Sequence, residues 1–262
     1  TLVTPGKFAV TGCDHWCSAA TPTRGPSRRP CTDLPFIPAE SRSRMTDQNQ
    51  RLFEIVRSGE LGRIVSANFV LCGVLPKAWE DSESHGWWVE EDKAPGGGWI
   101  DHAIYQIDRL RWLLGAEPVD VIGHVANLRY PQLPVEDYGH AIFTFSDGVV
   151  ATMENTWTGA DGAWRITTTL NGTEGSLAID TIDAHISVLR PDAGASPSWE
   201  RLEPLDDDSD LIQPLVDRIR GENNSLGTVH DAWRNLAAAR AFYAAAASGT
   251  RRPVPVPEDK NT

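Results

Sequence analysis

The chain has 262 residues, room for one large or two small domains, and 40% of them are hydrophobic, enough for a core. A formal charge of -12 excludes a nucleic-acid surface, which needs a basic patch, and the one basic cluster, Arg24, Arg28 and Arg29, is short. No apolar run reaches the ~20 residues that span a bilayer, and residues 1–25 lack the charged start and apolar middle of a secretory signal, so a soluble cytoplasmic protein is expected.

Residues 18–41 carry Pro22, Pro26, Pro30, Pro35 and Pro38 among Ser, Thr and Arg, which prevents a regular helix and reads as a linker or disordered arm. Cys13, Cys17 and Cys31 lie in the same N-terminal stretch and, with Cys72, form no even framework, so reduced thiols are expected. The spacing of Cys13, His15 and Cys17 fits no zinc pattern well, and no metal is expected.

From Thr46 the apolar spacing turns helical through Leu52, Ile55 and Val56, with Asp47 near the start and Ser58-Gly59 at the end. Ile64 to Leu71, rich in β-branched residues, predicts a strand, and Trp79 to Pro95 predicts an acidic loop of the kind that borders sites. Then comes the most informative stretch, Gly96-Gly97-Gly98-Trp99-Ile100-Asp101-His102-Ala103-Ile104-Tyr105-Gln106-Ile107-Asp108. It sets an acid and a phenol four residues apart at a helix start, on one helix face. The glycines leave that helix entrance open to a ligand, and the helix runs on to Gly115.

Strand-like runs follow at Val119 to Leu128, Tyr138 to Phe145, Val149 to Trp157, Trp164 to Leu170, Ser176 to Ile179 and His185 to Leu189. Turn signals such as Ser146-Asp147-Gly148 and Asn171-Gly172 separate them, which favours antiparallel pairing over βαβ units. Helices at Asp210 to Arg220 and at about Val229 to Ala247 close the chain, the second with Thr228 as N-cap and Gly249 beyond its end. The fold class is therefore α+β, with a large, open, mainly antiparallel sheet. The division falls between residues 1–34 and 35–262.

Several motifs carry a resemblance. Ser58-Gly59-Glu60-Leu61-Gly62-Arg63-Ile64, the glycine-rich segment with Asp101, Tyr105 and Asp108, Val135-Glu136-Asp137-Tyr138, Phe145-Ser146-Asp147-Gly148 and Gly172-Thr173-Glu174-Gly175 occur in that order. From about Pro35 to Pro257 the chain thereby resembles the C-terminal substrate domain of the glucose-fructose oxidoreductase, inositol dehydrogenase and MocA-like (Gfo/Idh/MocA) family of NAD(P)-dependent oxidoreductases. The resemblance implies an open, mainly antiparallel sheet with helices on one face and the other face free for a homodimer or tetramer. It implies a sugar or polyol as substrate. Tyr105 would exchange the proton of the substrate hydroxyl, and Asp101 would bind a neighbouring hydroxyl or orient the acid/base group; Ala103 replaces the family's usual glycine. His102, one position around the helix, would support or pack, and Trp88 and Lys93 would wall the sugar pocket. The residues alone also fit plainer roles: Asp101 favouring the helix N-terminus, Tyr105 packing with its hydroxyl in water, Trp88 and Lys93 on an ordinary exposed loop.

The family's cofactor half is where the sequence departs. Lys7 to Cys17 has the outline of a first Rossmann strand and turn, yet Asp14 and Cys17 stand in the places of the second and third glycines. No Glu-Lys-Pro, the family's catalytic-lysine motif, occurs. The first 34 residues are accordingly read as at most a Rossmann remnant, and the chain alone is expected to bind neither NAD nor NADP. Three functions remain open: the substrate half of an oxidoreductase, a non-catalytic sugar-binding or oligomerisation module, and an NAD-dependent glycoside hydrolase or lyase.

Overall fold

The computed structural model describes residues 43–79, 82–190, 198–204, 212–222 and 225–256. All of them fall within the unit Pro35–Thr262. The expectations for residues 1–34 lie outside the described residues.

The described residues build a nine-stranded sheet in the order β8-β7-β6-β5-β1-β4-β3-β2-β9. Its strands are β1 (Ile64–Cys72), β2 (Pro118–Ala126), β3 (Tyr138–Phe145), β4 (Val150–Thr156), β5 (Arg165–Gly172), β6 (Ser176–Asp180), β7 (Ile186–Leu189), β8 (Trp199–Arg201) and β9 (Arg252–Pro253). Neighbours are antiparallel except at the centre, where β1 runs parallel to β4 with Phe69 opposite Met153. The sheet is open, mostly antiparallel and accompanied by helices, as the hairpin spacing implies. The parallel pair, the two-residue β9 and the three-residue β8 are additions to the sequence reading, as is a 3-10 turn at Gly86–Val89 inside the acidic loop.

Alternation along the strands decides which face is covered. Ala67, Phe69 and Leu71 of β1, Ala141, Phe143 and Phe145 of β3, and Ala151 and Met153 of β4 are buried, and they share one sheet face because side chains alternate. Helix α2 (Ile100–Leu114) places Ala103, Ile107, Leu110 and Leu113 in the same core, and α4 (Val229–Ser248) adds Ala238, Phe242 and Ala245. The opposite face presents Asn68, Ile142 and Val150 to solvent. Val149 is buried and Trp157 lies just past the end of β4, so the two parities of this strand differ in exposure.

Local chemistry sets the helix limits. In α1 (Asp47–Ser58) the cap is Thr46, whose hydroxyl accepts from the Asn49 amide, while Asp47 sits in the first turn where a carboxylate favours the dipole; Gly59 ends the helix at φ 81°. Helix α4 begins with a reciprocal capping box between Thr228 and Asp231. Helix α3 (Ile212–Ile219) overlaps the expected Asp210 to Arg220. The Asn171-Gly172 signal falls at the end of β5; the turn itself is residues 173–175.

Two of the motifs meet at one end of β1. The Leu61 carbonyl accepts from the amides of Glu174 and Gly175, and a Cβ on Gly172 would lie 1.9 Å from that same oxygen. Segments far apart in sequence are thus bound backbone to backbone, which only glycine permits.

Candidate functional site

The site is built outward from the glycine turn that precedes α2. A Cβ on Gly96 would lie 2.0 Å from the Tyr243 hydroxyl, and one on Gly97 would lie 2.1 Å from the Glu136 carbonyl. The three glycines therefore admit the chain at 135–137 and the Tyr243 ring, not a ligand; the space expected to be open is filled by protein. Glu136 fastens the turn. Its Oε1 accepts from the Gly97 amide (2.9 Å), the Trp99 amide (3.2 Å) and the Tyr243 hydroxyl (2.7 Å). Burial pushes the Glu136 carboxyl above its ordinary range against these hydrogen bonds, and burial together with the neighbouring carboxylate pushes the Tyr243 phenol up. The next residue does the same for another turn: Asp137 is fully buried and accepts from the amides of Leu128, Arg129 and Tyr130. Val135-Glu136-Asp137-Tyr138 thus carries two carboxylate clamps, Glu136 on the turn before α2 and Asp137 on the turn at 128–130.

On α2 so fixed, Asp101 and Tyr105 share a face as their spacing requires. Asp101 Oδ2 accepts from the Trp157 indole at 3.0 Å and lies 3.3 Å from His102 Nε2. Two groups therefore orient one carboxylate oxygen, and Oδ1 takes no hydrogen bond from the described residues. The His102 ring packs edge-on against Trp164, 4.9 Å between centroids, and lies 6.0 Å from the Tyr105 ring. Tyr105 is 39% exposed.

Both rings line a chamber of about 470 Å³ that runs down α2. Its walls include Asn49 of α1, Gln106 and Arg109 of α2, Ile166 of β5 and Ile186 of β7. Arg109 donates to Thr168 Oγ1 at 2.8 Å and to Asn49 Oδ1 at 3.3 Å, and its guanidinium lies 4.6 Å from the centre of the Phe69 ring. Burial draws its pKa down to about 10.

The other expected residues are placed apart from this chamber. Trp88 stacks on Trp87 at 4.0 Å and packs against the small cluster of Leu75, Val135 and Trp157. It reaches the site through Trp157, the residue that holds Asp101. Lys93 is exposed and pairs with Glu90. Sequence reasoning missed Trp157, Glu136, Gln106 and Arg109 as site residues. The available signal for Arg109 was its spacing, four residues beyond Tyr105 and eight beyond Asp101 on one helix stripe.

Among the described residues no group of three His, Cys, Asp or Glu side chains could hold a metal ion, and no helix is long and apolar enough to cross a membrane. Nor do they fit a dinucleotide. A pyrophosphate cradle needs a glycine-rich turn from a parallel strand into a helix. The one parallel pair here is β1 and β4, and the glycine turn before α2 is filled by Glu136 and Tyr243.

Comparison with known proteins places this geometry. Residues 49–178 match the family model of the GFO/IDH/MocA C-terminal domain. The chain is 25% identical over 202 residues to a 1,5-anhydro-D-fructose reductase of Ensifer adhaerens, an alignment covering 75% of this chain and 57% of that protein. Among solved structures, an oxidoreductase domain protein from Kribbella flavida superposes with a TM-score of 0.70 at 17% identity, over 83% of this chain and 65% of that one. Levoglucosan dehydrogenase in complex with NADH and levoglucosan superposes with a TM-score of 0.69 at 20% identity, over 83% of this chain and 66% of that one. The chain thus spans somewhat over half the length of the curated relative, and these likenesses between structures establish the fold.

Proposed function

Because residues 49–178 belong to the GFO/IDH/MocA C-terminal domain family, we propose that residues 35–262 are the substrate-holding half of an NAD(P)-dependent oxidoreductase acting on a sugar, polyol or related hydroxyl compound. The observation that carries this reading is Tyr105 on the wall of a chamber large enough for a monosaccharide, one helical turn beyond the oriented Asp101. Asp101 Oδ1 accepts from one substrate hydroxyl, while the Trp157 indole holds Oδ2. Tyr105 takes or returns the proton of the hydroxyl being oxidised or formed. A nicotinamide, when bound by a cofactor domain, supplies the hydride acceptor; relatives crystallised with NADH support that expectation.

One observation favours a second assignment of the proton. His102 lies within 3.3 Å of the Asp101 carboxylate and lines the same chamber, so an Asp101–His102 pair can exchange the proton in place of the phenol. The exposed sheet face with Ile142 and Val150 is proposed as the contact for a homodimer or tetramer. The chain alone is expected to bind no NAD or NADP, and a cytoplasmic location fits its composition.

The test joins an intact family Rossmann domain ahead of residue 35 and measures polyol oxidation. Tyr105→Phe should lose about two to four orders of magnitude in kcat, the range of general acid–base catalysis, with His102→Gln costing less. The reverse order assigns the proton to His102. Activity unchanged in both variants and in Asp101→Asn overturns the reading. Calorimetric titration of the chain alone with each nicotinamide should give no heat, and a micromolar Kd would show a working cofactor site.

A further inference from the structure

The chamber beside α2 contains a cation that the fold does not neutralise. Arg109 has five N–H groups; its hydrogen bonds go to two neutral acceptors, Thr168 and Asn49, and its Nε is buried with no acceptor at all. Among the described residues no carboxylate pairs with it. The two buried arginines on this side of the sheet are treated differently: Arg44 holds Asp108 through two hydrogen bonds, and Arg111 holds Glu117 through two more. Removing a cation from water costs several kcal/mol unless an anion accompanies it. The Arg109 guanidinium remains protonated at neutral pH although burial draws its pKa down.

Next to it, Gln106 is 5% exposed and its Oε1 is buried without a partner. An amide oxygen only accepts, so this orphan suits a ligand hydroxyl, which has a proton to give. The helix sets the spacing: four residues advance about 6 Å along the axis. Arg109 therefore stands about one step below Tyr105 and two below Asp101, so that one sugar-sized ligand can meet the phenol and the cation together. The single carboxylate among the lining residues is Glu203, exposed at the rim, where its backbone carbonyl accepts from Arg51.

We propose that the chamber binds the carboxylate of an acidic sugar, a uronic or aldonic acid, on Arg109, with one ligand hydroxyl donating to Gln106 Oε1 and others turned toward Tyr105 and Asp101. The proposal rests on the reading of Asp101 and Tyr105 as the hydroxyl-handling pair, and it narrows the substrate class from polyols in general to polyhydroxy acids. Arg109 is the specificity-determining residue.

The first measurement needs no variant: calorimetric titration of the unaltered chain with D-glucuronate, with its neutral amide and with D-glucose. Glucuronate should bind at least tenfold more tightly than either neutral ligand, and the preference should shrink as salt is raised. Arg109→Leu, checked for folding by circular dichroism, should erase the preference; Arg109→Lys should keep part of it. Equal affinity for all three ligands, weakened alike by Asp101→Asn, overturns the carboxylate assignment and leaves the hydroxyl reading standing. Binding that needs Arg109 but ignores Asp101→Asn, and that acetate displaces as well as glucuronate does, keeps an anion site on Arg109 and removes the hydroxyl reading, and with it the sugar class. Absence of binding by all three ligands overturns the proposal.

Discussion

Two arginines on one helix, Arg109 and Arg111, meet opposite surroundings two residues apart. Arg111 points into a closed lattice: Glu117 receives two of its hydrogen bonds at 2.6 and 2.9 Å, Asn235 a third at 2.8 Å, and Asp231 lies 3.3 Å away. One turn earlier Asp108, nearly fully buried, accepts from Arg44 at 2.6 and 2.5 Å and from Asn235 at 2.9 Å. Every charge there has its opposite within reach, and the lattice ties α1's leading residues, α2 and α4 together. Arg109 faces the other way into the chamber with hydroxyl, amide and aromatic neighbours. A cation that stabilises a fold arrives with its own carboxylate; one that awaits a ligand does not.

The largest effect should come from breaking the closed side. Asp108→Ala takes both short hydrogen bonds from Arg44, leaving it Asp231 at 3.3 Å, and leaves Asn235 short of an acceptor in a buried setting, so about 3–5 kcal/mol of stability should be lost, read as a shifted midpoint in guanidinium unfolding with an unchanged slope. A loss below about 1 kcal/mol would mean that water reaches the lattice and that the contrast between the two sides is false.

Next in size is the clamp behind the site. Glu136→Leu deprives two backbone amides and the Tyr243 hydroxyl of a buried acceptor and should cost about 2–3 kcal/mol, whereas Glu136→Gln keeps an accepting oxygen and should cost less than about 1 kcal/mol. The pair also makes a pH prediction. The folded Glu136 carboxyl holds its proton to higher pH than the unfolded one, whose pKa is about 4.3. Between those two values the folded state binds more protons, so stability falls as pH rises through that window and levels off above it. In Glu136→Gln this component of the fall should vanish; an unchanged profile from pH 4 to 7 would show that Glu136 is not its source.

What the sequence made legible follows from what each residue's role depends on. Hairpin turns and strand alternation are local, and they foretold the mainly antiparallel sheet; the parallel pairing of β1 with β4, some 85 residues apart, leaves no local trace. Strand β9 is two residues long and contains Pro253, too little for any pattern. Asp101 and Tyr105 were visible because helical spacing alone puts them on one face. The glycines before α2 were visible too, but for another reason than ligand access: their necessity lies in Glu136 and Tyr243, which only the fold brings beside them. Gln106 and Arg109 read as ordinary polar positions of an amphipathic helix, and it is the packing of α1, β5 and β7 around them that turns them into a chamber wall. Trp157 likewise reads as core, and it is core, except that its indole nitrogen meets Asp101.

The smallest expected effect is the one that separates the two sides most cleanly. Arg109→Leu removes a half-buried cation together with its desolvation cost, and it gives up one hydrogen bond to Thr168, a longer one to Asn49 and the contact over Phe69. Hydrogen bonds from a charged donor contribute about 1.5–3 kcal/mol each, against which stand the desolvation of the guanidinium and the apolar contact that leucine restores with the Phe69 ring. These changes oppose one another, so unfolding in guanidinium should move by less than about 1 kcal/mol in either direction, against several for Asp108→Ala on the same helix. Were Arg109→Leu to cost as much as Asp108→Ala, the guanidinium would be a structural tie like Arg111, its neutral partners sufficient to hold the wall of the chamber, and the distinction drawn between the two faces of α2 would fall.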